Sequence, residues 1–211
     1  MTGHRPPFEA LLLLGPTGAG KTPLGQALEA RGLRGRRCLH FDFGANLRGV
    51  AAAGRLPSTG RPPARLTDGD VAVIRASLRS GALLENEHFH IARDLLLSFA
   101  EQQGLAAADL LVLNGLPRHA GQARDVDAFL EVTRLVVLEC APPVVVQRLA
   151  LDPGGDRAGR VDDDLDLVTA KLATYAARTA PLVAHYQDRG AAVDRLAVGP
   201  ATSAEDLRAA L

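Results

Sequence analysis

Eight residues constrain this chain more than any others: Gly15-Pro16-Thr17-Gly18-Ala19-Gly20-Lys21-Thr22, which fit G-x-x-x-x-G-K-[ST]. They follow the apolar run Leu11–Leu14 and open a helical stretch, which is the setting the pattern needs. The glycines let successive backbone N–H groups curl around phosphate oxygens, and a helix N-terminus adds partial positive charge. Lys21 then reaches the outer phosphates as a point charge, and the Thr22 hydroxyl contacts magnesium. A glycine-rich structural turn is the plain alternative. Against it, lysine is scarce: Lys21 and Lys171 are the only two among 24 cationic residues, and one falls where the motif requires it. Pro23, directly after the motif, has no N–H and removes one donor from the cradle.

A phosphate-binding loop of this kind needs a strand before it and a helix after it, and the rest of the chain repeats that alternation. Candidate strands are Ala10–Leu14, Cys38–Phe41, Leu110–Leu113, Leu135–Leu138 and Ala192–Val198, whose continuous apolar character suits burial on both faces. Helical patterns run from Gly20 to about Ala30, from Asp68 (capped by Thr67) to Gly81, and from Asn86 to Gln103. Further patterns cover His119–Leu130 and Pro143–Leu151. Asp163–Arg189 is too long for one helix, so a break is expected at Pro181 with Thr179 capping the second part. Ser203 and Asp206 form a capping-box pattern ahead of a last helix. Gly54–Thr67 and Asp152–Gly159, rich in Gly, Pro and charge, read as mobile loops. The fold class is therefore α/β, with a five-stranded parallel sheet flanked by helices in the P-loop NTPase manner.

Segments downstream of the loop narrow the reading. Asn114-Gly115-Leu116-Pro117-Arg118 with Gln122 resembles the D-G-F-P-R…Q segment of adenylate kinases and related nucleoside monophosphate kinases. Arg160-Val161-Asp162-Asp163 resembles their R-x-D-D, and Thr179-Ala180-Pro181-Leu182 to Tyr186 their T-x-P-L…Y. Gly44–Arg48 is similar to T-G-D-L-L-R, and Gly81–Leu84 to G-x-L-V. These matches occur in family order over nearly the whole chain. The resemblance implies one kinase domain. Its core spans 8–43, 105–151 and 161–211, with an acceptor-binding arm at about 44–90 and a short lid at about 152–160.

The resemblance also implies roles. Arg48 and Arg118 would hold the acceptor monophosphate, with Gln122 reading its base and Phe43, Leu83 and Leu84 beside it. Arg160, with Arg148 or Arg157, would clamp phosphates from the lid side, and Lys171 stands where the family carries arginine. Gly199 and Pro200 would face the donor adenine through backbone groups, and Thr22 with Asn114 would serve magnesium. Arginine forks suit such work because they grip phosphate oxygens in pairs, and a lysine keeps the charge but loses the fork. The implied reaction is transfer of the ATP γ-phosphoryl group to a nucleoside monophosphate, AMP favoured over pyrimidines by Gln122, with ATP and Mg2+ as cofactors.

Asn114 departs from the family aspartate and offers a carbonyl acceptor without charge. With Pro23, Phe43 and Lys171, it keeps two further readings in play. One is an adenylate-kinase-like nucleotide-binding protein of weak or lost activity; the other is a P-loop kinase for a different small acceptor. Lys+Arg 24 against Asp+Glu 24 leaves formal net charge +0, which argues against nucleic acid as a partner. No apolar run is long enough to span a membrane, and Met1–Glu9 does not read as a signal peptide. Cys38 and Cys140 stand in no metal-ligand spacing. A cytoplasmic monomer whose partners are small-molecule nucleotides is expected.

Overall fold

The computed structural model describes residues 8–56, 66–155 and 165–211. Its sheet contains β1 (Glu9–Leu14), β2 (Cys38–Asp42), β3 (Leu110–Asn114), β4 (Glu131–Glu139) and β5 (Ala192–Ala197). Their spatial order is β2-β3-β1-β4-β5, and every neighbouring pair is parallel. Parallel neighbours need long crossovers, and helices supply them. β1 lies at the centre and serves both faces. Leu12 and Leu14 pack with Phe41, Leu113 and Leu135, while Leu11 and Leu13 pack with Leu24, Leu28 and Val136. That double burial explains a strand with no polar alternation.

The helices are α1 (Lys21–Arg31), α2 (Phe43–Ala53), α3 (Asp68–Ser80), α4 (Phe89–Gln102), α5 (Ala120–Val126), α6 (Pro142–Leu151), α7 (Leu165–Thr174), α8 (Leu182–Gln187) and α9 (Ala204–Ala209). The expected Ser203–Asp206 capping box forms, and the expected Thr67 cap is itself a capping box, closed by Asp70. Four features differ from the sequence reading. A helix, α2, occupies the start of the arm, capped by Asp42, whose Oδ1 accepts from the Ala45 N–H at 2.8 Å. The segment from Asn86 opens as a 3-10 turn (Asn86–His88) before α4 begins. The irregularity expected at Pro181 begins one turn earlier, as a π-helical turn over Tyr175–Thr179. Thr179 caps nothing there: its hydroxyl donates to the Arg118 carbonyl at 2.7 Å. Finally, β5 is not buried on both sides. It is one of the sheet's two outer strands, half-buried or exposed throughout, and ion pairs Arg134–Asp194 and Arg195–Glu139 run along it.

The basic run from Arg31 to Arg37 is drawn into the base of the sheet. Arg36 bonds the Glu9 carboxylate at 2.6 Å and the Asp109 carbonyl at 2.7 Å, and Arg37 reaches the Gln103 carbonyl at 3.0 Å.

Helix α1 sits so close to β2 that a methyl group at Gly25 would meet the His40 ring at 2.2 Å; only glycine fits. His40 is itself buried, and its Nε2 has no hydrogen-bond partner among the described residues. Burial holds this imidazole below its ordinary range, outweighing the nearby Asp42 and Glu29 charges. The folded state therefore keeps His40 neutral where the unfolded chain takes up a proton, below about pH 6.5. More protons on the unfolded chain mean stability is lost as pH falls through that window. The melting midpoint should drop between about pH 7.5 and about pH 5.5, and His40→Gln should flatten the drop. Equal slopes in both proteins would remove His40 as its source.

Candidate active site

The carboxyl ends of β1, β2 and β3 open into one cleft, as expected where ligands meet a parallel sheet. About 1520 Å³ of space, continuous with solvent, lies between the loop after β1, the start of α2, the end of α3, the loop after β3 and the α7–π segment.

On the β1 side, the loop takes the shape its glycines permit. Gly15, Gly18 and Gly20 have φ of 152°, 75° and 96°, and Gly20 caps α1 without any side-chain bond. The first turn of α1 therefore presents backbone N–H groups and the positive end of its dipole. Pro23 is the third residue of that helix, where an N–H has no helical partner, so the fold tolerates it. Lys21 lies across its own loop, Nζ donating to the Gly15 and Pro16 carbonyls, each at 2.6 Å. Gly15, Thr17, Gly18, Gly20, Lys21 and Thr22 line the cleft. Ala19 instead is sealed in the core, and Pro16 contributes its carbonyl to Lys21.

Beneath the lysine, three polar side chains meet. The Thr22 hydroxyl donates to Asp42 Oδ2 at 2.6 Å, and Asn114 Nδ2 donates to the same oxygen at 2.9 Å and to Thr22 Oγ1 at 3.0 Å. Asp42 and Asn114 are register partners at the ends of β2 and β3.

Across the cleft, Arg48 projects from α2, and Arg118 from the loop after β3. Lys171 of α7 and Leu83 also stand on the wall. Arg118 is fixed through its backbone, because its N–H donates to Gln122 Oε1 at 2.8 Å and its carbonyl accepts from Thr179. Glu85, at the end of the arm, forms a two-pronged pair with Arg178 of the π turn, with one bond at 2.8 Å. That guanidinium holds the Glu85 carboxyl below its usual range.

Several expected site residues have other occupations. Gln122 does not reach the cleft: it is 0% exposed, with Nε2 bound to the Leu84 carbonyl at 2.9 Å and Oε1 to the Arg118 N–H. Leu84 is likewise buried, and its carbonyl also meets His119 Nε2 at 3.1 Å. Phe43 touches the cleft, but its ring belongs to the core beside Phe41. Arg148 lines the cleft, but its guanidinium is engaged with backbone carbonyls. It is 4% exposed, with Nε on the Gly18 carbonyl at 3.0 Å and Nη1 on the carbonyls of Gly199 at 2.7 Å and Thr202 at 2.9 Å. The Gly199 N–H binds Thr202 Oγ1 at 2.9 Å, and the Pro200 carbonyl accepts a longer bond from Arg148 at 3.3 Å. Those bonds hold the loop after β5 together. Arg157, Arg160, Asp162 and Asp163 lie outside the described residues.

The sequence reading passed over Asp42 and the Glu85–Arg178 pair. An aspartate closing an apolar strand is a cap signal that could have exposed the first; nothing local marks the second.

Among the described residues, no group of three or more His, Cys, Asp or Glu side chains is arranged to hold a metal ion, and no helix is long and apolar enough to cross a membrane.

The AAA domain family model matches residues 11–165, from β1 into α7. The chain is 30% identical over 185 residues to the adenylate kinase of Synechococcus sp. (strain RCC307), covering 85% of each chain. It is 30% identical over 190 residues to the adenylate kinase of Xanthomonas campestris pv. campestris (strain 8004), covering 85% of this chain and 86% of the relative. With the adenylate kinase of Synechococcus sp. (strain WH7803), it shares 29% over 189 residues, 86% of each.

Proposed function

Because the chain belongs to the adenylate kinase family, and through its P-loop core to the AAA domain family, we propose that it transfers the γ-phosphoryl group of ATP to a nucleoside monophosphate, with AMP as the preferred acceptor. One observation carries this reading: a single cleft has the Lys21 loop on one side and Arg48 and Arg118 on another, with Lys171 also on its wall. Two sets of cations facing one space suit two phosphate-bearing molecules better than one.

In this reading the amides of the loop and of the α1 start grip the donor phosphates. Lys21 leaves its two loop carbonyls to meet the outer phosphate. Arg48 and Arg118 hold the acceptor phosphate in line with the bond to be broken, Leu83 lies against the acceptor, and Gln122 acts by fixing the Arg118 backbone. The attacking phosphate oxygen is already anionic, so positioning and charge stabilisation suffice without a general base. Lys171, with Arg157 and Arg160 of the lid, adds positive charge around the transferred group. Closure of arm and lid keeps water from taking the acceptor's place.

Thr22 and Asn114 fit magnesium, since hard oxygen donors line the cleft beside the phosphate loop. Magnesium, when bound, neutralises charge on the β- and γ-oxygens.

ADP formation measured against AMP, other nucleoside monophosphates and small non-nucleotide phosphates and alcohols tests the proposal. AMP should give the highest kcat/KM. Arg118→Lys should raise the KM for AMP about 10- to 100-fold while ATP affinity stays within about twofold, because a lost charge-assisted fork is worth about 1.5–3 kcal/mol. Turnover confined to a non-nucleotide, or ATP binding with no turnover on any acceptor, would reject it.

A further inference from the structure

The cluster around Thr22 holds one carboxylate, and it stands on β2, not on β3. β3 ends in Asn114, which is neutral; β2 ends in Asp42, its register partner. We infer that Asp42 is the positioning residue for magnesium in this P-loop, acting through the Thr22 hydroxyl, so that the site's acidic group has moved one strand over. The inference rests on reading the loop as an ATP–magnesium cradle and adds to it the residue that orients the metal's protein ligand.

Hydrogen-bond accounting carries the argument. A carboxylate only accepts, so the 2.6 Å contact obliges the Thr22 hydroxyl to donate its proton to Asp42 Oδ2. The hydroxyl oxygen then turns its lone pairs away from Asp42, and Asn114 Nδ2 engages one side of that oxygen at 3.0 Å. Thr22 lines the cleft, so with its proton on Asp42 and one side on Asn114 its hydroxyl oxygen keeps a lone pair for a divalent cation held beside the phosphates. The same accounting fixes the Asn114 amide: with Oδ2 of Asp42 at 2.9 Å, its nitrogen and not its oxygen must face the carboxylate. Asn114 is therefore suited to hold a carboxylate in place, and adding a second charge in contact with the first would disturb it. Outer partners that orient a metal ligand in this way typically govern metal affinity about 10- to 100-fold.

Asp42 also caps α2 through Oδ1, and asparagine caps a helix about as well as aspartate. Asp42→Asn therefore removes charge and keeps the cap, which should spare the fold. The decisive quantity is the ratio of ATP affinities measured by calorimetry with and without magnesium chloride, a readout independent of turnover. In the parent protein magnesium should tighten ATP. Asp42→Asn should cut that tightening about 10- to 100-fold and leave magnesium-free ATP binding intact. The double variant Asp42→Asn/Asn114→Asp returns a carboxylate to the opposite strand end, still beside Thr22, and should restore the ratio. In a Thr22→Val background, Asp42→Asn should have no further effect on it, because the hydroxyl that transmits the influence is gone; if Asp42→Asn proves unstable, Asp42→Ser, which also removes the charge and keeps a capping oxygen, takes its place in both tests.

An unchanged ratio in Asp42→Asn overturns the inference. So does loss of turnover with the ratio preserved, which would make Asp42 a group that serves the acceptor, and so does an undiminished effect of Asp42→Asn in the Thr22→Val background. A parent protein that does not bind ATP at all would instead bring down the cradle reading beneath it.

Discussion

Lys21→Met is expected to lower kcat for phosphoryl transfer about 1000-fold or more, the scale seen when a cation or donor at a transferred phosphoryl or acyl group is removed. The methionine stem fills nearly the same volume, so the loss would be one of charge. In the structure the ammonium bridges the Gly15 and Pro16 carbonyls. That contact keeps it folded over the loop, within reach of whatever the loop amides bind. Lys21→Arg should not rescue, because a guanidinium is too broad to occupy the same position between two carbonyls. Steady-state ADP formation gives the rate, and the unfolding midpoint shows whether the loop survives. A kcat within about tenfold of the parent would place Lys21 off the reacting phosphate.

Arg148→Ala is expected to cost about 3–5 kcal/mol of folding stability, because several buried carbonyls lose their donor at about 1–3 kcal/mol each. One guanidinium joins the P-loop at Gly18 to the turn after β5 at Gly199 and Thr202, and its removal strands buried carbonyls in two loops at once. Arg148→Lys should recover only part of this, since a single ammonium cannot span both loops. Urea unfolding supplies the measurement. Nearly unchanged stability together with a large loss of kcat would reinstate the phosphate-clamp role that the sequence had suggested.

Residues 15–22 and the apolar runs around them reveal the sheet and its phosphate loop because both signals are local: a strand buried on both faces has no polar alternation, and the loop's glycines sit where φ turns positive. The Thr67 cap and the Ser203–Asp206 box are just as local, and both form as read. Helix α2 was missed because Gly44 and Gly49 depress its helical propensity, while its cap, Asp42, belongs to the preceding strand. The arginines show the deeper limit. Arg48, Arg118 and Arg148 are alike in chemistry, and what separates them is whether carbonyls distant in the chain happen to lie within reach. Arg148 finds Gly18 and Gly199; Arg118 is instead gripped by its backbone and leaves its side chain on the cleft wall. The amide of Gln122 is placed in the same way, bonded to the Leu84 carbonyl and the Arg118 N–H.

At the far rim of the sheet, the outermost strand ends the ladder with unpaired peptide groups, the kind of border onto which another polypeptide can zip. Here that border is crowded by Asp194 and Arg195, each already engaged with a charge on the neighbouring strand. An intruding segment would have to strip hydration from these couples or dislodge them before it could dock. Among the described residues, electrostatic fencing thus guards this enzyme's margin against runaway stacking.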